Sequence, residues 1–189
     1  MKIGILSDTH GSSLYFNKAM EILGDCDAYL HAGDILYHGP RNDLPQGYNP
    51  KELINALNNV SSIIFAKGNC EADVDQMVLN HPIQGPYALV QFDEFRFIIN
   101  HGYTDSKEKI IENAKNMGAD FLILGHTHIK ELSFDDNLII INPGSTSIPK
   151  DGSRSVAIVE INPDILNANE FNIDINFYDI DSGKLIDNI

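Results

Sequence analysis

Apolar residues come in short runs along this chain, and nearly every run is cut off by a turn of small and polar residues. Residues 2–6 predict a central strand that stops at Ser7-Asp8-Thr9-His10-Gly11. Residues 28–32 predict a second, ending at Gly33-Asp34, and residues 62–66 a third, ending at Lys67-Gly68-Asn69-Cys70-Glu71. Residues 87–92 and 95–99 read as a hairpin around Asp93-Glu94, and its second strand runs into Asn100-His101-Gly102. Residues 121–124 stop at Gly125, followed by His126-Thr127-His128. Residues 138–141 lead into Asn142-Pro143-Gly144-Ser145, and strands over 155–161, 171–180 and 184–186 close the chain.

Between these runs the period lengthens from two to about 3.6, the spacing of a helix with one apolar face. A helix starting after Ser12 or Ser13 as cap and running to about residue 23 buries Leu14, Ala19, Ile22 and Leu23. Short helices are expected over 50–57 and 73–79, and an amphipathic one over 106–117, stopped by Gly118. Strand, helix and strand at the start of the chain imply a right-handed βαβ unit with parallel pairing. The class is α/β, in one domain spanning 1–189, without repeats or a linker. Residues 36–50, rich in Pro, Gly and Asn, form a long irregular loop of the kind that is usually functional or disordered.

Composition narrows the partners. The 189 residues carry 27 Asp and Glu against 13 Lys and Arg, a formal net charge of −14. Binding to duplex nucleic acid needs basic footing that this chain lacks. No apolar run approaches the roughly 18 residues of a membrane span. Met1-Lys2 leads straight into a run too short for a signal core. Two cysteines in unlike contexts, Cys26 and Cys70, do not suggest a disulfide framework, so a reducing, cytoplasmic setting is expected. Cys26 reads as a small, partly buried hydrophobe.

The chemistry lies at the strand ends. Asp8 with His10, Asp34, Asn69, His101, and His126 with His128 each follow a separate apolar run. Ligands of parallel sheets bind beyond the carboxyl ends of the strands. Taken alone, His126 and His128 are open to several readings: one shared metal, two neighbouring metals, or surface turn residues. The full set of oxygen and nitrogen donors exceeds the needs of one tetrahedral ion and suits two, with a bridging carboxylate. No thiolate is obligatory, which favours manganese, iron or zinc over a structural zinc. Two ions about 3.5–4 Å apart are a known arrangement for phosphoester hydrolysis. His31, inside a strand, is expected to be a packed core residue.

In order and spacing, Asp8-x-His10, Gly33-Asp34, Gly68-Asn69, His101-Gly102 and Gly125-His126-x-His128 resemble the calcineurin-like metallophosphoesterase superfamily. The resemblance implies a four-layer α/β/β/α sandwich of two mixed β-sheets flanked by helices. It implies one metal on Asp8, His10 and His128, another on Asn69, His101 and His126, and Asp34 bridging both, with a metal-bridging hydroxide as nucleophile. His38-Gly39-Pro40-Arg41-Asn42, Asp75-Gln76-Met77, Asn142-Pro143-Gly144-Ser145 and Ser147-Ile148-Pro149-Lys150 are similar to the small bacterial YfcE-type phosphodiesterases. That group implies manganese and a homo-oligomer, a dimer or tetramer.

A small-molecule phosphodiester is therefore the expected substrate. Arg41 and His38 are candidates to contact its phosphate, against a reading of Arg41 as a solvent-facing loop residue. A phosphomonoesterase or pyrophosphohydrolase is the alternative within the enzymes; few cations near the motifs favour the monoanionic diester. A scaffold module, like the retromer-type subunits of the implied fold, is the alternative outside them. The sequence departs from the superfamily pattern at Cys70, where a histidine is usual. Cys70 is either a weak proton donor in catalysis or an inert filler beside the metals, and a covalent nucleophile only as the least favoured reading.

Overall fold

The computed structural model describes residues 1–163 and 171–186. In chain order its elements are β1 (Lys2–Leu6), α1 (Ser13–Leu23), β2 (Ala28–His31), α2 (Pro50–Asn58), β3 (Ile63–Ala66), α3 (Asp73–Val78) and β4 (Ile83–Gln84). Then follow β5 (Ala88–Phe92), β6 (Phe95–Ile99), α4 (Lys107–Asn116), β7 (Phe121–Ile123), β8 (Lys130–Asp135), β9 (Leu138–Pro143), β10 (Ser155–Pro163) and β11 (Phe171–Asp179). One sheet has the order β11-β10-β1-β2-β3-β4, the other β5-β6-β7-β9-β8. Both are mixed: β1, β2, β3 and β4 run parallel, as do β6, β7 and β9, while the flanking pairs β1–β10, β10–β11, β5–β6 and β8–β9 are antiparallel.

The continuous apolar runs exist because the central strands are covered on both faces. Alternate residues of β6 and β7 point opposite ways. Phe97, Ile99, Phe121 and Ile123 face the other sheet, meeting Ile3, Ile5 and Leu30. Ile98 and Leu122 turn outward under Ile110 and Ala114 of α4. Phe97 and Phe121 stack with centroids 4.3 Å apart. The outer face of the first sheet packs under α1 and α2 through Leu6, Phe16, Leu23, Leu53 and Leu57. Helix, sheet, sheet and helix make the four expected layers. Each such side chain contributes about 1.5–3 kcal/mol by leaving water.

Ser12 caps α1 and accepts from Tyr15 N, and Ser106 caps α4. The buried face of α1 is turned from the expected one: Tyr15 and Phe16 are buried, whereas Leu14 and Ile22 are only partly so. The strands β4 and β8 were not anticipated. β4 is two residues long, and β8 is half-buried and interleaved with charge, so neither has an apolar run. The strand expected over 184–186 reduces to a single bridge between Leu185 and Tyr178. Among the described residues no helix is long and apolar enough to cross a membrane, and Cys26 and Cys70 are both free thiols.

Candidate metal centre

Because β1, β2 and β3 lie beside one another in one sheet and β6 and β7 in the other, their carboxyl ends meet at one edge of the sandwich. The turns continue the pairing past the strands: Asp8 N donates to Gly33 O and His10 N to Asp34 O, both at 3.0 Å. Asp8, His10, Asp34, His126 and His128 all have left-handed backbone, with φ of 55°, 43°, 57°, 68° and 59°. Only Asp93 and Asp136, both at hairpin turns, share it among the other described non-glycine residues. Such a conformation costs of order 1–3 kcal/mol per residue and clusters at functional sites.

The side chains converge. His128 Nε2 lies 3.2 Å from Asp8 Oδ1, and His10 Nε2 3.6 Å from it. His101 Nε2 lies 3.3 Å from Asp34 Oδ2, and His10 Nε2 3.7 Å. The two imidazole nitrogens of His10 and His128 approach within 3.3 Å. Each of three rings is pinned through its other nitrogen to a main-chain carbonyl: His10 Nδ1 to Tyr37 O at 2.8 Å, His101 to Ala32 O and His128 to Ile148 O at 2.7 Å. With Nδ1 used in that way, Nε2 keeps its lone pair for a cation.

These groups suit a metal. Asp8 Oδ1 and His101 Nε2 are buried without a hydrogen-bond partner. Buried polar atoms are normally paired, and a cation between carboxylates and imidazoles is the partner this donor set fits. Asp8, His10 and His128 offer ligand atoms within 4.8 Å of one another, as do Asp8, Asp34 and His101. Burial alone would raise the Asp8 carboxyl, but His101, His10 and His128 hold it well below the usual range. Burial lowers His101, yet Asp8 and Asp34 push it up to about 9. Without a cation the cluster balances its own charge with protons, which a metal would displace.

Several supporting residues lie inside the quoted motifs, but the sequence assigns them no role. Glu71, buried beneath the site, accepts from Asp34 N at 3.0 Å, Ile35 N at 2.6 Å and Gly68 N, so one carboxylate ties two ligand turns together. Gly68 must be glycine, since a Cβ there would strike Asp34 and Glu71; a Cβ on Gly125 would strike Ser7. Ser145 and Ser147 donate to Asp8 O at 2.9 and 3.0 Å. Asn142 donates to Gly125 O and Thr127 Oγ1, holding the histidine turn. Acidic or amide side chains that serve main-chain groups carry no sequence signal distinct from surface polarity.

A cleft of about 470 Å³ opens above the cluster, lined by Asp34, Arg41, Asn69, Cys70, His126, His128 and Lys150, among others. Arg41 and Lys150 have no acidic partner among the described residues. His38 does not line this cleft; its ring packs edge-on between Tyr37 and Tyr48, with centroids 4.7 and 5.4 Å away. Asn69 is exposed, and its amide donates to Cys70 Sγ at 3.3 Å. Burial, and after it the negative charge of Asp34, pushes the Cys70 thiol up. His31 is buried against Thr9 Oγ1 at 3.0 Å, with burial holding its pKa down at about 3, as a neutral core residue.

The chain matches the model of the calcineurin-like phosphoesterase superfamily domain over residues 1–164. It is 37% identical to the phosphodiesterase YfcE of Escherichia coli K12 over 156 residues, 81% of this chain and 83% of that one. It is 31% identical to the phosphodiesterase MJ0936 of Methanocaldococcus jannaschii over 166 residues, covering 80% and 91%. The solved structure of the E. coli phosphoesterase YfcE superposes with a TM-score of 0.80 over 98% of this chain and 97% of that one, at 29% identity. Vacuolar protein sorting 29 from Cryptosporidium parvum, 17% identical, shares the fold with a TM-score of 0.67, covering 98% and 94%.

Proposed function

This chain belongs to the calcineurin-like phosphoesterase superfamily, and on that ground we propose that it is a metal-dependent hydrolase of small phosphodiesters. Asp8, His10 and His128 would hold one divalent ion, Asn69, His101 and His126 a second, and Asp34 both, with manganese foremost and iron or zinc as alternatives. Two such ions supply Lewis-acid charge for the phosphoryl oxygens and a water of lowered pKa. The observation that carries this reading is the buried, unpartnered pair Asp8 Oδ1 and His101 Nε2, facing each other at 3.8 Å among the other ligands.

The remaining work falls to the cleft. Arg41 and Lys150 supply positive charge for a phosphate entering the cleft. Cys70, its thiol pushed up by burial and by Asp34, is a weak proton donor or an inert filler beside the cleft, and a nucleophile only as the least favoured reading. His38 supports the loop rather than the phosphate. Every ligand position holds a ligating side chain, which favours an enzyme over a scaffold module. A homo-oligomer and a cytoplasmic setting accord with the YfcE-type likeness and with two free thiols.

Reconstituting the purified chain with Mn, Fe, Zn or Mg and assaying aryl diesters, cyclic nucleotides and monoesters tests the reading. Diesters should be cleaved fastest, with manganese. Faster cleavage of monoesters would make it a phosphatase; bound metal with no turnover of any ester would make it a scaffold.

A further inference from the structure

A second groove, of about 380 Å³, adjoins the metal cleft, and Cys70 lines both. Its walls are apolar and aromatic: Tyr37, Tyr48, Ile54, Val74 and Val78 are among them. Two lining residues, Tyr37 and Cys70, are hydrogen-bonded to metal-ligand candidates. Tyr37 O accepts from His10 Nδ1 at 2.8 Å, and Cys70 N donates to Asp34 Oδ1 at 2.8 Å. The one acidic wall residue, Asp75, is already engaged by Ala72 N at 2.8 Å. Val74 is 58 % exposed and Val78 39 %, so both side chains are open to solvent on this wall.

We propose that this groove is the subsite for an aromatic, flat and apolar substituent of the phosphate ester. The inference rests on the phosphodiester reading above and adds the class of substrate to it. A phosphate held over the metal ligands has one ester oxygen directed past Cys70, and the substituent on that oxygen enters the groove. The two tyrosine rings and the two valines then set specificity by dispersion and by loss of water, as apolar ligand pockets do.

Titration calorimetry on the metal-loaded full chain tests this with phenylphosphonate and methylphosphonate, which carry the same charged head. Phenylphosphonate should bind more tightly. The double variant Val74→Asn with Val78→Asn, at two exposed positions, should weaken phenylphosphonate about tenfold and leave methylphosphonate unchanged. Ala72→Trp, which fills the groove from its rim, should do the same; unchanged methylphosphonate binding shows that each variant is folded. Equal binding of the two probes, equal losses, or no phenylphosphonate binding by a protein that cleaves diesters overturns the subsite. So does a shift from dimer to monomer on sedimentation with the ratio of affinities unchanged, since a second copy then covers the valines. Preference for the phenyl probe without cleavage of any diester would overturn the phosphodiesterase reading and leave the subsite standing.

Discussion

His10, His101 and His128 reach the candidate metal centre from below the surface, each with one nitrogen fixed to a main-chain carbonyl. Asn69 and His126 line the cleft on its solvent side, and neither has such a tether among the described residues. The buried half is therefore shaped before any cation arrives. The open half spends side-chain freedom when it binds, a cost the buried half has already met in folding. The contrast divides labour: one half holds charge in a fixed place, the other meets what enters the cleft. Asp34 belongs to both, since its carboxylate lies against His101 on one side and Cys70 on the other.

That division can be broken most severely at Asp34. Asp34→Asn should abolish diester cleavage, by about a thousandfold or more, and lower the metal content of both halves. A variant that keeps one full equivalent of metal with normal turnover would show that the halves are independent. Glu71→Gln acts from underneath, by loosening the turns of Asp34 and Gly68 together. It should weaken metal binding about 10–100-fold in a chelator competition, the usual range for a group that orients ligands. Unchanged affinity would mean that the main-chain pairing alone fixes the turns. The smallest change is expected at the open rim. Cys70→His should raise turnover of alkyl diesters by about tenfold relative to aryl diesters, because poor leaving groups need a proton donor most. Equal gains on both would remove the thiol from the chemistry.

Both halves of the candidate site were legible in sequence, for a physical reason. An apolar run buried on both faces has to end in a turn, and polar residues fixed at five such ends stand out against apolar neighbours. Asp8, His10, Asp34, Asn69, His101 and the His126–His128 pair stand out in that way, as do the two-sided strands and their helices. What supports them does not. Glu71 works by accepting from main-chain N–H groups of residues 34, 35 and 68, a relation that exists only once the turns are folded. Lys150 reaches the cleft because its own N–H pairs with His128 O, across a long separation in sequence. His38 sits near Arg41 in the chain, but its ring turns between two tyrosine rings instead of into the cleft. The strand β8 was hidden because its edge position leaves charges interleaved with Leu132 and Phe134.

The left-handed backbone at five ligand positions bears on how such a chain can drift between generations. Asp, Asn and His are the residues that tolerate this conformation best after glycine, and they are also good metal donors. A replacement at residue 34 must therefore pass two independent filters. Glutamate keeps the charge of Asp34 but fits the turn less well; glycine fits the turn and removes the donor. Few neighbours in sequence space satisfy both, so lineages of this fold should either retain these residues unchanged or discard the chemistry outright, with little populated ground between.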